Sequence, residues 1–274
     1  MSVFRPRKLV CPACKGPVDF QTVFSVNADR RSDLRDAIID GSFQRETCPK
    51  CGRAFRLEPE FIYFNLDRRQ WILVRPFGAR EQFADLERQA RALYDTAFGD
   101  NAPPDLREET AAIRPRVVFG WAALREKLVC AQAGLDDAVL ELVKLATIRG
   151  LDNTPFRDDT ELRLVGVEGE ELVLAWIRAV PEDLVETLRV PRELYDGIAA
   201  DAEGWGALRA ELDANYFVDL SRLLSETETG EGETGAAESE DEEESPAKKT
   251  ARKAAPKKAA SKPKPARPAA KRGR

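Results

Sequence analysis

Apolar residues change period along this chain, and each change predicts an element of a different kind. Between Pro17 and Asn27, Val18, Phe20, Phe24 and Val26 alternate with polar residues, with Thr22 in the middle place. That two-residue period is the pattern of a half-buried strand. Leu34, Ala37 and Ile38 then fall at helical spacing, with Ser32 placed as N-cap and Gly41 as the residue that ends the helix. Three more strands are predicted over 54–57, 60–65 and 70–75; 65–69 forms a hairpin connection and Pro76 stops the last strand.

From Arg80 the period lengthens. Phe83, Leu86, Ala90, Leu93 and Ala97 mark one face of a helix closed by the Gly- and Pro-containing stretch 99–104. Trp121, Leu124, Leu128 and Ala131 mark a second helix over roughly 120–133, stopped by Gly134. Leu135-Asp-Asp137 supplies a hydrophobic staple and N-cap for a third, ending at Gly150. The runs 161–167 and 171–177 flank Glu168-Gly-Glu170, the pattern of a β-hairpin. Two or three helices should follow through Leu224, broken at Pro191 and at Gly204-Trp-Gly206.

The elements add up to an α+β protein: a zinc-ribbon-like, β-rich N-terminal domain over 1–80 and a mainly helical body over 81–224 with a β-hairpin near 161–177. Past Leu224 the apolar content collapses, and such a segment cannot bury enough surface to offset the entropy of ordering. A disordered C-terminal tail is expected there, an acidic linker over 225–244 followed by a basic Lys/Ala/Pro-rich stretch over 245–274.

Composition changes this picture in two ways. The chain has 274 residues and no histidine, which rules out Ser-His-Asp and Cys-His catalysis and His-ligated catalytic metals. The net charge of −5 also hides a division of sign. Residues 225–244 hold ten acidic residues and no basic ones; residues 245–274 hold twelve basic residues and no acidic ones. The positively charged first eight residues are followed by no apolar run, so neither a secretory signal nor a membrane-spanning segment is expected. With two Cys-x-x-Cys pairs rather than a disulfide framework, the sequence points to a soluble protein of a reducing, cytoplasmic interior.

The candidate chemistry lies in Cys11-Pro-Ala-Cys14 and, thirty-three residues on, Cys48-Pro-Lys-Cys51-Gly52. Two residues between thiolates let a tight turn aim both sulfurs at one ion, and two such turns complete a tetrahedral shell with no open position. Gly52 relieves the backbone after the second turn, and Lys15-Gly16 can serve the first. A structural zinc ion, Zn(2+), is the expected occupant; rubredoxin-like iron and a redox dithiol are the other chemistries such turns support.

The paired Cys-Pro-x-Cys turns, Ser25-Val-Asn-Ala28, the stretch Leu34–Phe43 and Phe61-Ile-Tyr-Phe64 together resemble the CpXC family of bacterial four-cysteine zinc-site domains. The resemblance covers residues 5–80 and extends more weakly through 119–127 and 135–144. It implies a bacterial source and a zinc site at Cys11, Cys14, Cys48 and Cys51, and it supplies no catalytic residues.

The tail is outside that resemblance. Its cations, Lys248, Lys249, Arg252, Lys253, Lys257, Lys258, Lys262, Lys264, Arg267, Lys271, Arg272 and Arg274, are spaced by alanine and proline, a composition similar to linker-histone tails. Extended cations meet phosphates along a duplex and release counterions, which gives DNA affinity without base reading. The acidic block can compete for the same cations, so intramolecular pairing is the other reading. If DNA is the partner, the protein is expected at the nucleoid.

Other features favour structural roles. Cys130, alone in a helix, reads as a buried small hydrophobe, and the four tryptophans as core. Asp158-Asp-Thr-Glu161 reads as a solvated loop before a strand rather than a cation site, and the arginines among the cysteines as a mixed surface. The function expected is a non-enzymatic adaptor or regulator that recognises a protein partner and is concentrated on DNA by its tail. An oxidoreductase using the cysteine pairs and a subunit of a larger complex are the alternatives.

Overall fold

The computed structural model describes residues 1–155 and 157–223. The acidic linker 225–244 and every basic position assigned to nucleic acid, from Lys248 to Arg274, lie outside them. The N-terminal sheet has five strands in the order β1 (Val3–Val10), β2 (Pro17–Asn27), β5 (Phe61–Asn65), β6 (Gln70–Arg75) and β7 (Arg114–Phe119). β1–β2 and β5–β6 pair antiparallel, whereas β2–β5 and β6–β7 pair parallel. β3 (Arg45–Thr47) and β4 (Ala54–Arg56) form a separate short hairpin.

Both faces of the five-stranded sheet are covered, which is why five of the six residues of β6 are buried. On one face Val26, Tyr63, Ile72 and Val118 pack against Leu34 and Ile38 of α1 (Ser32–Ile39) and Trp121, Leu124 and Leu128 of α4 (Gly120–Gln132). On the other, Trp71, Leu73, Val117 and Phe119 meet Leu86 and Ala90 of α2 (Phe83–Phe98) and Phe217. A short helix, α3 (Pro104–Thr110), leads into β7. Because β7 is bonded to β6, the sheet takes in chain from both sides of residue 80.

The second sheet is antiparallel, ordered β10 (Asp183–Pro191), β9 (Glu171–Arg178), β8 (Thr160–Glu168). Its Leu162, Leu164, Leu174 and Trp176 pack with α5 (Asp137–Arg149), α6 (Arg192–Ala200) and α7 (Ala202–Asp213) through Val143, Tyr195 and Leu212. Side chains of this size each contribute about 1.5–3 kcal/mol when fully buried. α4 lies between the two sheets. Its other side, at Ala122, touches Ala175 and Ile177 of β9, so the helix has almost no solvent face.

The structure departs from the sequence reading at several elements, each for a physical reason. Ser32 is the first residue of α1 rather than its cap. The inward face of α2 ends in Tyr94 and Phe98 rather than Leu93 and Ala97, because the larger rings lie against Trp71 and Phe64; Leu93 is left 43% exposed. The stretch 183–191, expected within helices, is an edge strand: β9 has buried backbone on both sides and takes β10 as its second partner. β1 is likewise an edge strand, where Pro6 costs no ladder hydrogen bond in the sheet interior. Gly204-Trp-Gly206 does not break the chain but lies inside α7. The Asp201 carboxylate accepts from the Gly204 amide at 2.8 Å, and a Cβ at Gly204 would stand 2.5 Å from that carboxylate, so glycine lets the cap close.

Sequence periodicity gave no hint of the ionic network that joins α4, α5, β8 and the segment after α7. Glu126 Oε1 accepts from Lys144 Nζ at 2.8 Å and Arg163 Nη1 at 3.0 Å, and its Oε2 accepts from the Leu164 amide at 2.7 Å. Lys144 also donates to Glu141 at 2.8 Å, and Arg163 to Asp219 at 2.7 Å and to Glu161. Lys127 continues the network to Asp137 at 3.0 Å, and Asp137 takes Arg116 at 2.8 Å. All these side chains are buried or nearly so. Despite desolvation, the facing cations hold Asp137 and Asp219 well below the ordinary 3.8 of an aspartate: Lys127 and Arg116 for the first, Arg163 and Lys144 for the second.

Removing one member of a buried ionic network strands its partners, at a cost of about 3–5 kcal/mol. Glu126→Leu should therefore lower unfolding free energy by roughly that amount in urea titrations, far more than an exposed pair such as Arg189 with Glu168 would. Depressed carboxylates stabilise the fold fully above their unfolded pKa and lose that contribution as pH falls. Urea midpoints should accordingly drop as pH falls below 3.8, and Asp137→Asn should flatten that drop.

Candidate metal centre

Each cysteine pair lies at the tip of a hairpin. β1 ends at Val10 and β2 begins at Pro17, which places Cys11 and Cys14 in the connecting turn; β3 and β4 place Cys48 and Cys51 the same way. The two turns share a backbone pattern. Lys15 donates to the Cys11 carbonyl at 3.0 Å and Gly52 to the Cys48 carbonyl at 2.9 Å. The Cys11 amide donates to Gly16 at 2.8 Å and the Cys48 amide to Arg53 at 2.9 Å. The residue four after each leading cysteine turns left-handed, Lys15 at φ 57° and Gly52 at φ 71°. In the first turn the lysine itself adopts that conformation, and the neighbouring Gly16 does not.

The four sulfurs converge. Cys11 Sγ lies 3.8 Å from Cys51 Sγ, Cys14 Sγ lies 3.6 Å from Cys48 Sγ, and all four lie within 4.8 Å of one another. A tetrahedral thiolate shell with metal–sulfur bonds of about 2.3 Å has sulfur–sulfur edges of about 3.8 Å, so the donors fit one metal ion. They are free thiols, well beyond the roughly 2 Å of a disulfide. Cys11 and Cys48 are buried beneath Val18 and Phe55, Cys14 is half-buried, and Cys51 is exposed.

Electrostatics separates the thiols. Cys11 is lowered to about 6, chiefly because the Cys14 amide donates to its sulfur. At Cys51 the Arg53 amide favours the thiolate, yet burial and the three neighbouring sulfurs together push the group up to about 11. A site so poised near neutral pH holds protons that a metal ion must displace.

The remaining sequence candidates are elsewhere. Cys130 is 1% exposed in α4, donates to the Leu135 carbonyl, and is pushed well up by burial. Trp71, Trp121 and Trp176 are core residues, with Trp121 Nε1 donating to the Leu57 carbonyl at 2.7 Å. The acids of 158–161 diverge: Glu161 turns inward to Arg163, while Asp159 lies 3.6 Å from Arg178 at the surface. Among the described residues the four cysteines are the one cluster with a metal-ligand arrangement. A cleft of about 420 Å³ lies between Arg68, Arg69, Arg114 and Gln70 on one side and Lys127 and Asp136 on the other. Its Arg114 is already paired with Asp136 at 2.8 Å.

These turns, the helix between them and the strands that follow match the CpXC protein family over residues 9–144. The chain carries a CpXC domain. The match runs past β6 to take in β7, α4 and α5 as far as Lys144, so the weaker stretches of likeness at 119–127 and 135–144 fall within the same family match as the cysteine turns. No curated protein and no solved structure matches the chain.

One ion held by all four sulfurs would tie the two hairpin tips together, so losing a ligand should then undo more than its own turn. Cys48→Ser is expected to abolish stoichiometric metal in elemental analysis and to raise hydrogen exchange at the amides of Cys48 and Gly52. Cys130→Ser should leave metal content unchanged.

Proposed function

We propose that the protein is a non-enzymatic zinc-binding adaptor or regulator whose CpXC domain and helices engage a protein partner. The observation that carries this reading is the four-thiolate cluster with sulfur–sulfur separations of 3.6 and 3.8 Å, in a chain without histidine. Four thiolates around one ion leave no position for substrate or activated water, so the ion staples two hairpins rather than acting as a Lewis acid. Zinc is the proposed ion, because the donor set and the tetrahedral edge suit it and because a structural role needs no redox change.

The basic stretch 245–274 adds non-specific DNA binding to this reading, on the strength of its twelve cations and their alanine and proline spacing. Among the described residues no helix is long and apolar enough to cross a membrane, which agrees with an adaptor acting in the cytoplasm, at the nucleoid when its tail engages DNA.

Two measurements test the reading. Purified protein should be colourless and contain one zinc per chain; an iron chromophore, or thiols that cycle under a redox couple, would instead support the oxidoreductase alternative. Duplex DNA affinity should fall steeply with salt, by a log–log slope of about −0.9 per neutralised phosphate. Deleting 245–274 should remove that affinity. Equal binding by the truncated and full chains at low salt would refute the tail's role.

A further inference from the structure

The short hairpin that carries Cys48 and Cys51 has a like-charge pair at its open end. Arg45 of β3 and Arg56 of β4 are cross-strand partners, an arrangement that is unfavourable unless an anion lies between them. A third cation, Arg125 of α4, joins them. All three guanidiniums come within 4.0 Å of the point where a Cβ on Gly41 would stand, and Gly41 has φ +78°.

The nitrogens are held in a way that frees their outer edges. Arg45 Nε donates to the Gly41 carbonyl at 2.6 Å, and Arg56 Nε donates to the Phe43 carbonyl at 2.9 Å. Arg56 is further fixed by stacking 3.8 Å over the Trp121 ring. Among the described residues, one carboxylate enters the group. Glu182, from the connection between β9 and β10, meets Arg56 Nη1 at 3.1 Å and Arg125 Nη2. Asp40 and Glu58 act on Arg56 through space, without an ion pair. Among the described residues Arg56 Nη2 is buried without a hydrogen-bond partner, on a side chain that is 9% exposed, while Arg45 is exposed and has no carboxylate partner.

We propose that Arg45, Arg56 and Arg125 form a binding site for a phosphate monoester dianion, with Glu182 as its built-in competitor. The charges argue for a dianion: three guanidiniums face one carboxylate, which leaves two positive charges unmet. Shape argues for phosphate. The donors approach from β3, β4 and α4, and a planar carboxylate reaches two of them, whereas a tetrahedral anion presents oxygens to all three. The unmet charge is also visible in the arginines themselves. Burial, Arg45 and Arg125 together lower Arg56 to about 9, and burial with Arg45 lowers Arg125. Exposed Arg45 is the open side through which an anion reaches the group and displaces Glu182.

Calorimetric titration of the full chain with inorganic phosphate and with glycerol 2-phosphate tests this, using dimethyl phosphate as the diester comparison. Both dianions should bind saturably, and the diester at least about tenfold more weakly. Arg45→Gln should weaken dianion binding about tenfold or more, because it removes a charge-assisted donor at an exposed position. Glu182→Gln should tighten binding several-fold. The basic tail is common to all three proteins, so any phosphate it takes up cancels in the comparison. Unchanged phosphate affinity in Arg45→Gln would overturn the proposal, as would no saturable binding in both the wild type and Glu182→Gln, or diester binding equal to that of the dianions.

Discussion

Glu126 lies where two sheets and two helices meet, and the arrangement of the whole molecule depends on keeping its charge satisfied. α4 carries it between the five-stranded and three-stranded sheets, where no water is at hand to solvate a carboxylate. Lys144 from α5, Arg163 from β8 and the Leu164 amide replace that water. A hydrophobic residue of similar volume would carry no desolvation cost, so the network is not the cheapest route to stability. It does tie α5 and β8 to α4 in the observed alignment, through Lys144 and Arg163 on the one carboxylate. That alignment positions α4, which in turn supplies Trp121 to the N-terminal core and Arg125 to the arginine group.

Much of this was legible in the sequence, for identifiable reasons. β2 carries its strand period in Val18, Phe20 and Val26, which are buried, although Val23 turns inward in place of Phe24, which the pairing with β1 skips and leaves 39% exposed; Asp136 caps α5 through the amides of Ala138 and Val139. The cysteine spacing pointed to the four-sulfur cluster, because a two-residue turn is a local device that aims both of its sulfurs the same way. Elements whose partners are distant were harder to read. β10 and β1 are edge strands, mostly exposed, and nothing in their own residues distinguishes a paired edge from a loop. In β7, Pro115 and two arginines disguise a strand that is buried only because β6 lies beside it.

The buried charges are not legible from spacing. Glu126-Lys127 and Glu141–Lys144 have the spacing of a solvated helix face, yet all four are buried. A pattern of polarity tells which residues differ from their neighbours, but not whether their counter-charges come from water or from another part of the chain. Here they come from one another across α4 and α5, from Asp137, and from Arg163 on β8. The arginines of the cysteine hairpin pose the same difficulty: Arg45 and Arg56 read singly as surface charges, and only the register of β3 on β4 reveals that they face each other.

The CpXC match ends at Lys144, in the middle of α5 and at one of the network's own cations. The segment shared with other proteins and the segment that folds as a unit are therefore different lengths of chain. Glu126, Glu141 and their shared partner Lys144 fall inside the matched part, while Arg163, the second cation on Glu126, falls outside it together with its own partner Asp219. In a relative lacking this C-terminal half, Glu126 would keep Lys144 but lose Arg163 and the Leu164 amide, so its second carboxylate oxygen would need another donor.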